Sequence, residues 1–178
     1  TRMKKVPLKI IAGKYKQKTI YSTSDETRET AHLVRGAVFN MLYQITGTGL
    51  DLFAGSGAYG FEALSRGLDL VYLNDMDKVA YQGLNANKTL LNANAIITNM
   101  DYQKAIEYYQ KSGIQFDYIF LDPPYHMSIS PIITLVAPLL KEDGTLICEI
   151  EKKSVYETNL TLIKERAHGI KKIILMKK

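Results

Sequence analysis

A four-residue motif at the end of an apolar run carries the most specific chemistry in this sequence. Residues 116–125 read FDYIFLDPPY, so the run leads directly into Asp122, two prolines and Tyr125. Two consecutive prolines fix the backbone and remove two amide donors, which leaves carbonyl acceptors facing outward. The Asp122 carboxylate and the Pro123 carbonyl could therefore accept both N–H bonds of a planar exocyclic amine, while Tyr125 stacks on the ring that carries it.

This arrangement suits methylation of the amino group of a nucleic-acid base. The lone pair of such an amine is delocalised into the ring, so the nitrogen is a poor nucleophile until two acceptors hold it and free the lone pair. A sulfonium methyl donor is already activated, and catalysis then needs positioning and electrostatics without a metal or a covalent intermediate. The predicted catalytic residues are Asp122, Pro123, Pro124 and Tyr125, and no metal is predicted.

A glycine-rich segment earlier in the chain indicates a nucleotide-like cofactor. Residues 50–60 read LDLFAGSGAYG, which matches G-x-G-x-x-G between an apolar strand and a helix. The helix N-terminus in such a loop attracts a negative group. A nicotinamide dinucleotide would place its pyrophosphate there, whereas S-adenosyl-L-methionine would place its amino-acid end there, with Asp51 available to its ammonium group.

Acidic residues follow the next two strand candidates. Asp75 ends LVYLND, where a doubly wound fold presents a carboxylate to ribose hydroxyls, and Asp101 ends IITNMD, within reach of an adenine amino group. Either residue alone could be a loop-capping aspartate, but three acidic residues at successive strand ends favour a cofactor site. The predicted cofactor is S-adenosyl-L-methionine, and its predicted binding residues are Asp51, Phe53, Gly55, Ser56, Gly57, Asp75, Met76, Asp101 and Tyr102.

The order of apolar segments predicts the fold that must position these residues. Strand and helix candidates alternate along the middle of the chain, which is typical of a parallel, doubly wound α/β sheet. Two more β-prone runs between residues 158 and 177 predict an antiparallel pair at one edge. The strand candidates are 49–53, 70–74, 95–99, 117–121 and 144–150, and the helix candidates are 58–66, 78–91, 102–111 and 129–140.

Basic residues are concentrated at the two ends of the chain. Residues 8–21 predict a small hairpin around Gly13 that carries Lys14 and Lys16, and apolar spacing over 30–43 predicts an amphipathic helix. No acidic residue precedes Asp25, and the net charge of the chain is +5. A polyanion is the natural partner of such ends, although charged termini can also serve solubility alone.

Length and composition indicate one compact, cytoplasmic domain. The chain has 178 residues and 46% hydrophobic content, and its single cysteine, Cys148, excludes an internal disulfide. No apolar run approaches the ~20 residues of a membrane span, and no signal-peptide core is seen. We expect a basic hairpin extension over 1–27 and the main domain over 28–178.

Taken together, these motifs resemble the bacterial 16S rRNA guanine-N2 methyltransferase family, of the small-subunit rRNA methyltransferase D type. The resemblance covers nearly the whole chain and is most specific in the opening LKIIAGKYK and in Phe39-Asn40. It also includes residues 28–35, the block LDLFAGSGAYGFEALSRG, NDMD at 74–77 and DPPY. One departure is Glu29, where the family usually has proline, so the local loop and its RNA contact could differ.

The resemblance implies the fold, the substrate and further site residues. It implies a class I S-adenosylmethionine-dependent methyltransferase fold, Rossmann-like, with a mostly parallel seven-stranded sheet, an antiparallel edge strand and an N-terminal β-hairpin. The implied substrate is a guanine amino group in 16S rRNA, naked or within the 30S subunit. The predicted RNA-binding residues are Lys14, Lys16, Arg28, Thr30 and Arg35, of which the last three would lie over the mouth of the site.

Other readings of the same motifs remain open at this point. The Asp-Pro-Pro-aromatic motif also serves adenine N6 in DNA or RNA and glutamine in proteins, although no separate target-recognition domain is seen. A nicotinamide-dependent oxidoreductase would leave DPPY and the basic ends unexplained. A nonenzymatic RNA-binding module would not need Asp122 or the complete glycine loop.

Overall fold

The computed structural model describes residues 5–23 and 28–178, with side chains from Ala31 onward in the second range. The helices are α1 (Arg28–Leu42), α2 (Ala58–Ser65), α3 (Lys78–Leu91), α4 (Tyr102–Lys111) and α5 (Ile129–Val136). The strands are β1 (Val6–Lys9), β2 (Thr19–Ser22), β3 (Thr48–Asp51), β4 (Leu70–Asn74), β5 (Ala95–Thr98), β6 (Phe116–Leu121), β7 (Leu140–Glu151), β8 (Thr161–His168) and β9 (Lys171–Lys177). No helix within these ranges is long and apolar enough to cross a membrane.

Seven strands form one twisted sheet in the order β5-β4-β3-β6-β7-β9-β8. The first five are parallel, and β9 pairs antiparallel with both β7 and β8. This confirms the predicted α/β class and the antiparallel pair at one edge. The strand order reverses between β3 and β6, and open α/β sheets bind ligands outside the carboxyl ends of the strands at such a point.

Each face of the sheet supports its own apolar core. Successive residues alternate between the two cores: Phe120 packs in one and Ile119 in the other, as do Ile147 and Leu146. This alternation follows from the two-residue repeat of a strand, because both faces are covered by helices. The sheet is therefore held from both sides, and its carboxyl edge is a rigid base for a site.

The predicted N-terminal hairpin is present and packs against the main body. Strands β1 and β2 pair antiparallel, and the loop between them places Tyr15 in the same core as helices α1 and α2. The backbone N–H and carbonyl of Tyr21 bond the side-chain amide of Asn87 on α3 at 2.9 Å each. Residues 24–27 lie outside the described ranges, so a domain boundary at 27/28 stays a prediction.

Several predicted boundaries were wrong by a few residues. Helix α1 ends at Leu42 because Tyr43 adopts a left-handed φ of 63°, with its N–H donating to the Phe39 carbonyl. Strand β7 begins at Leu140, four residues earlier than predicted, because Leu140 already pairs with Phe116 of β6. The register then shifts, so that Tyr118 pairs with Thr145. Helix α5 gives way to a 3-10 turn at Ala137–Leu139.

Candidate active site

The carboxyl ends of the five parallel strands, β3 to β7, surround a cavity of about 560 Å³. This volume lies within the roughly 300–1,000 Å³ that is usual for small-molecule sites. Every predicted cofactor-binding and catalytic residue except Gly57 lines it. The cavity has two ends, one built around the glycine loop and one around the Asp-Pro-Pro-Tyr motif.

The two glycines of the loop have different surroundings: Gly55 borders the cavity, whereas Gly57 packs against α2. Gly55 has a φ of 56°, and a Cβ added to it would meet no atom within 4 Å, so its backbone borders open space. Gly57 has a φ of 85°, and a Cβ there would lie 2.5 Å from the ring of Phe61. Gly57 thus forms a turn that packs closely against α2, and its predicted contact with a ligand stays a prediction.

Asp51, the last residue of β3, is buried beneath the glycine loop. Its Oδ2 accepts a hydrogen bond from the Gly60 N–H at 2.9 Å. Burial raises the pKa of Asp51 to about 7, with a smaller raising effect from the charge of Asp75 and an opposing effect from the Gly60 bond. A cationic ligand group beside Asp51 would favour the charged carboxylate.

Asp75 and Asp101 stand at the ends of the next two strands, as predicted. Asp75 accepts hydrogen bonds from the N–H groups of Gly55 and Asp77, each at 2.9 Å. Asp101 caps α4 by accepting from the Gln103 N–H at 2.9 Å. Each carboxylate thus holds a loop in shape while it also lines the cavity.

Aromatic and apolar side chains complete this end of the cavity. The rings of Phe53 and Tyr102 pack with centroids 5.4 Å apart, and Met76 is 66% exposed at the rim. Together with Met100 they form an apolar wall between Asp75 and Asp101. Such a wall suits the flat ring of a nucleoside.

The opposite end is formed by the motif that follows β6. Asp122 is half-buried, Pro123 is buried, and Tyr125 is 82% exposed at the mouth. The Pro124 carbonyl accepts from the Met127 N–H at 3.0 Å, which closes the turn. The motif therefore presents a carboxylate inside the cavity and an accessible aromatic ring outside it.

Three side chains that the sequence reasoning missed line the cavity near Asp122. The Tyr59 hydroxyl donates to Glu149 Oε1, and Glu149 Oε2 lies 3.9 Å from Lys171 Nζ. Burial, together with the charges of Glu149 and Asp122, raises the pKa of Tyr59 well above its usual range. The available signal for Glu149 was its position as the one acid within the otherwise apolar run LICEI.

The structure buries Arg35, which was predicted to contact RNA. This side chain is only 4% exposed; it donates to the Lys9 carbonyl at 3.2 Å and lies 3.6 Å from Glu62 Oε1. Phosphates at a protein surface are bound by exposed cations, so the burial of Arg35 does not support the predicted contact with RNA. Instead it ties α1 to α2 and to the hairpin, and it reaches the inner wall of the cavity.

The other predicted RNA-binding residues lie away from the cavity or beyond the described side chains. Lys14 and Lys16 are exposed on the loop of the hairpin, and neither lines the cavity. Arg28 and Thr30 begin α1, but their side chains lie outside the described residues. Contact between these residues and RNA stays a prediction.

Comparison with solved structures identifies the class of fold. A solved S-adenosylmethionine-dependent methyltransferase from Agrobacterium tumefaciens has a TM-score of 0.66 at 16% identity, over 87% of this chain and 55% of that one. The solved structure of yhhF from Escherichia coli has a TM-score of 0.84 at 28% identity, over 97% of this chain and 98% of that one. The fold is that of the class I S-adenosylmethionine-dependent methyltransferases.

Sequence comparison narrows this class to a family. The family profile described as "Conserved hypothetical protein 95" matches residues 8–177. A Haemophilus influenzae protein named "Ribosomal RNA small subunit methyltransferase D" is 34% identical over 173 residues, which cover 92% of this chain and 90% of that protein. The chain belongs to this family, of the small-subunit rRNA methyltransferase D type, as its motifs predicted.

Proposed function

We propose that this protein transfers a methyl group from S-adenosyl-L-methionine to the exocyclic N2 amine of a guanine in 16S rRNA. The observation that carries the proposal is that the glycine loop and the Asp122–Tyr125 motif line one cavity. A cofactor and a base held at its two ends would bring their reacting atoms together. The Haemophilus influenzae relative is named for methylation of small-subunit ribosomal RNA, which supports the same class of substrate.

The chemistry of the cofactor end favours a cationic ligand over a dinucleotide. Three carboxylates, those of Asp51, Asp75 and Asp101, line this end. They would repel a pyrophosphate, whereas Asp51 suits an ammonium group and Asp75 suits ribose hydroxyls. Asp101 and the apolar wall of Phe53 and Tyr102 would hold the adenine. When bound, the cofactor supplies an activated methyl group on a sulfonium.

The other end of the cavity would hold the base. The Asp122 carboxylate and the Pro123 carbonyl accept the two N–H bonds of the amine, which orients its lone pair toward the methyl group. The Asp122 carboxylate, which accepts one of these N–H bonds, can also take the proton that the nitrogen loses after methylation. Tyr125, exposed at the mouth, stacks on the extruded base.

The RNA itself would also bind through exposed basic residues outside the cavity. Lys14 and Lys16 are exposed on the hairpin loop, where they can pair with phosphates without touching the cofactor. The partner is 16S rRNA, either naked or within a 30S subunit or its assembly intermediate.

The test is transfer of a labelled methyl group to 16S rRNA and to small subunits that lack the modification. We expect the wild-type protein to label one of these substrates. Asp122→Ala should abolish labelling while cofactor affinity, measured by calorimetry, stays within a few-fold. Calorimetry with NAD should show no binding. Full activity of Asp122→Ala, or binding of NAD in place of S-adenosyl-L-methionine, would contradict the proposal.

A further inference from the structure

A row of polar side chains crosses three neighbouring strands at the base end of the cavity. The last β6–β7 pair is Leu121 with Cys148, so Asp122 and Glu149 follow it side by side on the two parallel strands. On β9, the next strand, Ile173 pairs with Glu149, and Lys171 lies two residues before Ile173. All three side chains line the cavity. Neighbouring strands are about 4.8 Å apart, so the backbone of the row spans about 9.6 Å, and Lys171 narrows it by bringing its Nζ to 3.9 Å from Glu149 Oε2.

Glu149 is held firmly in this row. Its side chain is 15% exposed and accepts from the Tyr59 hydroxyl, whose ring stacks on Phe120 with centroids 5.5 Å apart. Lys171 Nζ lies 3.9 Å from the other carboxylate oxygen. A carboxylate has about four lone-pair positions, so Glu149 can accept from more than one donor. A largely buried carboxylate at a cavity wall lowers the stability of the folded protein, and such groups are concentrated at functional sites. The position of Glu149 therefore indicates that it contacts the ligand.

The order of charges along the row matches one base. From Asp122 to Lys171 the row presents acceptor, acceptor and donor. The Watson–Crick edge of guanine presents the complementary series: the N2 amine and N1–H are donors, and O6 is an acceptor. Adenine and cytosine instead carry a lone pair on the ring nitrogen beside the amine, and this lone pair would face the Glu149 carboxylate.

We propose that Glu149 and Lys171 select guanine by binding N1–H and O6 while Asp122 holds the N2 amine. This inference rests on the proposed function and adds the residues that set its base specificity. A site built to hydrogen-bond a substrate group rejects an analogue without that group strongly, by up to about 10⁴–10⁵-fold.

The probe that isolates this contact is 2-aminopurine. It keeps the amine that would be methylated but has a lone pair at N1 and no O6. The mapped target position of 16S rRNA is rebuilt by splinted ligation with guanine or 2-aminopurine, in the form, naked or assembled, that the wild-type protein methylates. We expect the wild-type protein to prefer guanine by at least about 100-fold in kcat/KM.

The matched variants are Glu149→Gln and Glu142→Gln. The amide of Glu149→Gln can donate to a ring nitrogen, so this variant should lose at least about ten-fold of the preference for guanine, with unchanged cofactor affinity. Glu142 is an exposed acid at the far end of the same strand, and Glu142→Gln should keep the wild-type preference. The preference for guanine over 2-aminopurine is measured on the wild-type protein, so the inference can be tested even if Glu149→Gln does not fold.

The outcomes separate this inference from the proposed function. Guanine methylation with no preference over 2-aminopurine would overturn base selection by Glu149 and Lys171 and leave the proposed function standing. An unchanged preference in folded Glu149→Gln would overturn the role of Glu149. Failure of the wild-type protein to methylate guanine N2 in any form of the RNA would overturn the proposed function and this inference with it.

Discussion

Substitution of Glu62 by alanine should remove a contact that fastens the N-terminal hairpin to α1 and α2. Glu62 is fully buried on α2, where it accepts from the N–H groups of Ile11 at 2.8 Å and Ala12 at 3.1 Å. It also accepts from Arg66 Nε at 2.8 Å and lies 3.6 Å from Arg35 Nε. One carboxylate thus joins the hairpin loop, α1 and α2.

The expected loss follows from what the substitution leaves behind. Arg35, only 4% exposed, would become a buried charge without its carboxylate. Its Nε already makes no hydrogen bond among the described residues. Removing one partner of a buried ion pair costs about 3–5 kcal/mol, and each backbone N–H left without an acceptor adds to this. We expect Glu62→Ala to lower the free energy of unfolding by at least about 3 kcal/mol.

Urea or guanidinium unfolding followed by circular dichroism measures this loss as a shift of the midpoint at unchanged slope. The matched control is Glu107→Ala, at an exposed position on α4, which should stay within about 0.5 kcal/mol of the wild type. A loss below about 1 kcal/mol in Glu62→Ala would refute the reasoning, since the buried ion pair would then carry little of the stability.

Three further predictions concern the cofactor, the pH and the RNA. Asp75→Ala should weaken cofactor binding by about 1–3 kcal/mol in calorimetry, and an unchanged dissociation constant would put the ribose elsewhere. Because burial raises the pKa of Asp51 to about 7 from 3.8, the folded protein holds this proton more tightly than the unfolded chain. As the pH rises from 4 to 7, the free energy of unfolding of the wild type without cofactor should therefore fall relative to that of Asp51→Asn, by up to about 1.4 kcal/mol per pH unit. Parallel pH profiles of the two proteins would contradict this. Neutralising Lys14 and Lys16 together should reduce the slope of the logarithm of the RNA-binding constant against that of the salt concentration by about 0.7–0.9 per lost phosphate contact, with unchanged cofactor affinity. An unaltered slope would mean that these lysines contribute to solubility and not to RNA binding.

The parts of the fold that follow from local patterns were predictable from the sequence. Strand β4 and helices α3 and α4 have the predicted bounds, because clear apolar periodicity coincides with strong end signals. Asp77 and Asp101, for example, cap α3 and α4 through their side chains. Much of the cavity lining was also predictable, because the carboxyl ends of parallel strands meet at one edge of the sheet, although Tyr59, Glu149 and Lys171 were missed.

What could not be predicted depends on contacts between distant segments. Arg35 was expected at the surface because arginine usually is, and its burial depends on Glu62, which lies in another helix. The position of Glu149 beside Asp122 depends on the register of two neighbouring strands. Neither the spacing nor the composition of a single segment contains that information.

The most direct test of the account is the identity of the methylated nucleoside. Wild-type protein, S-adenosyl-L-methionine and unmodified 16S rRNA or small subunits are incubated, and the RNA is digested to nucleosides and analysed by mass spectrometry. The account predicts N2-methylguanosine as the product, absent when Asp122→Ala replaces the wild type. Methylation found only on adenine N6, or only on a ribosomal protein, would contradict it.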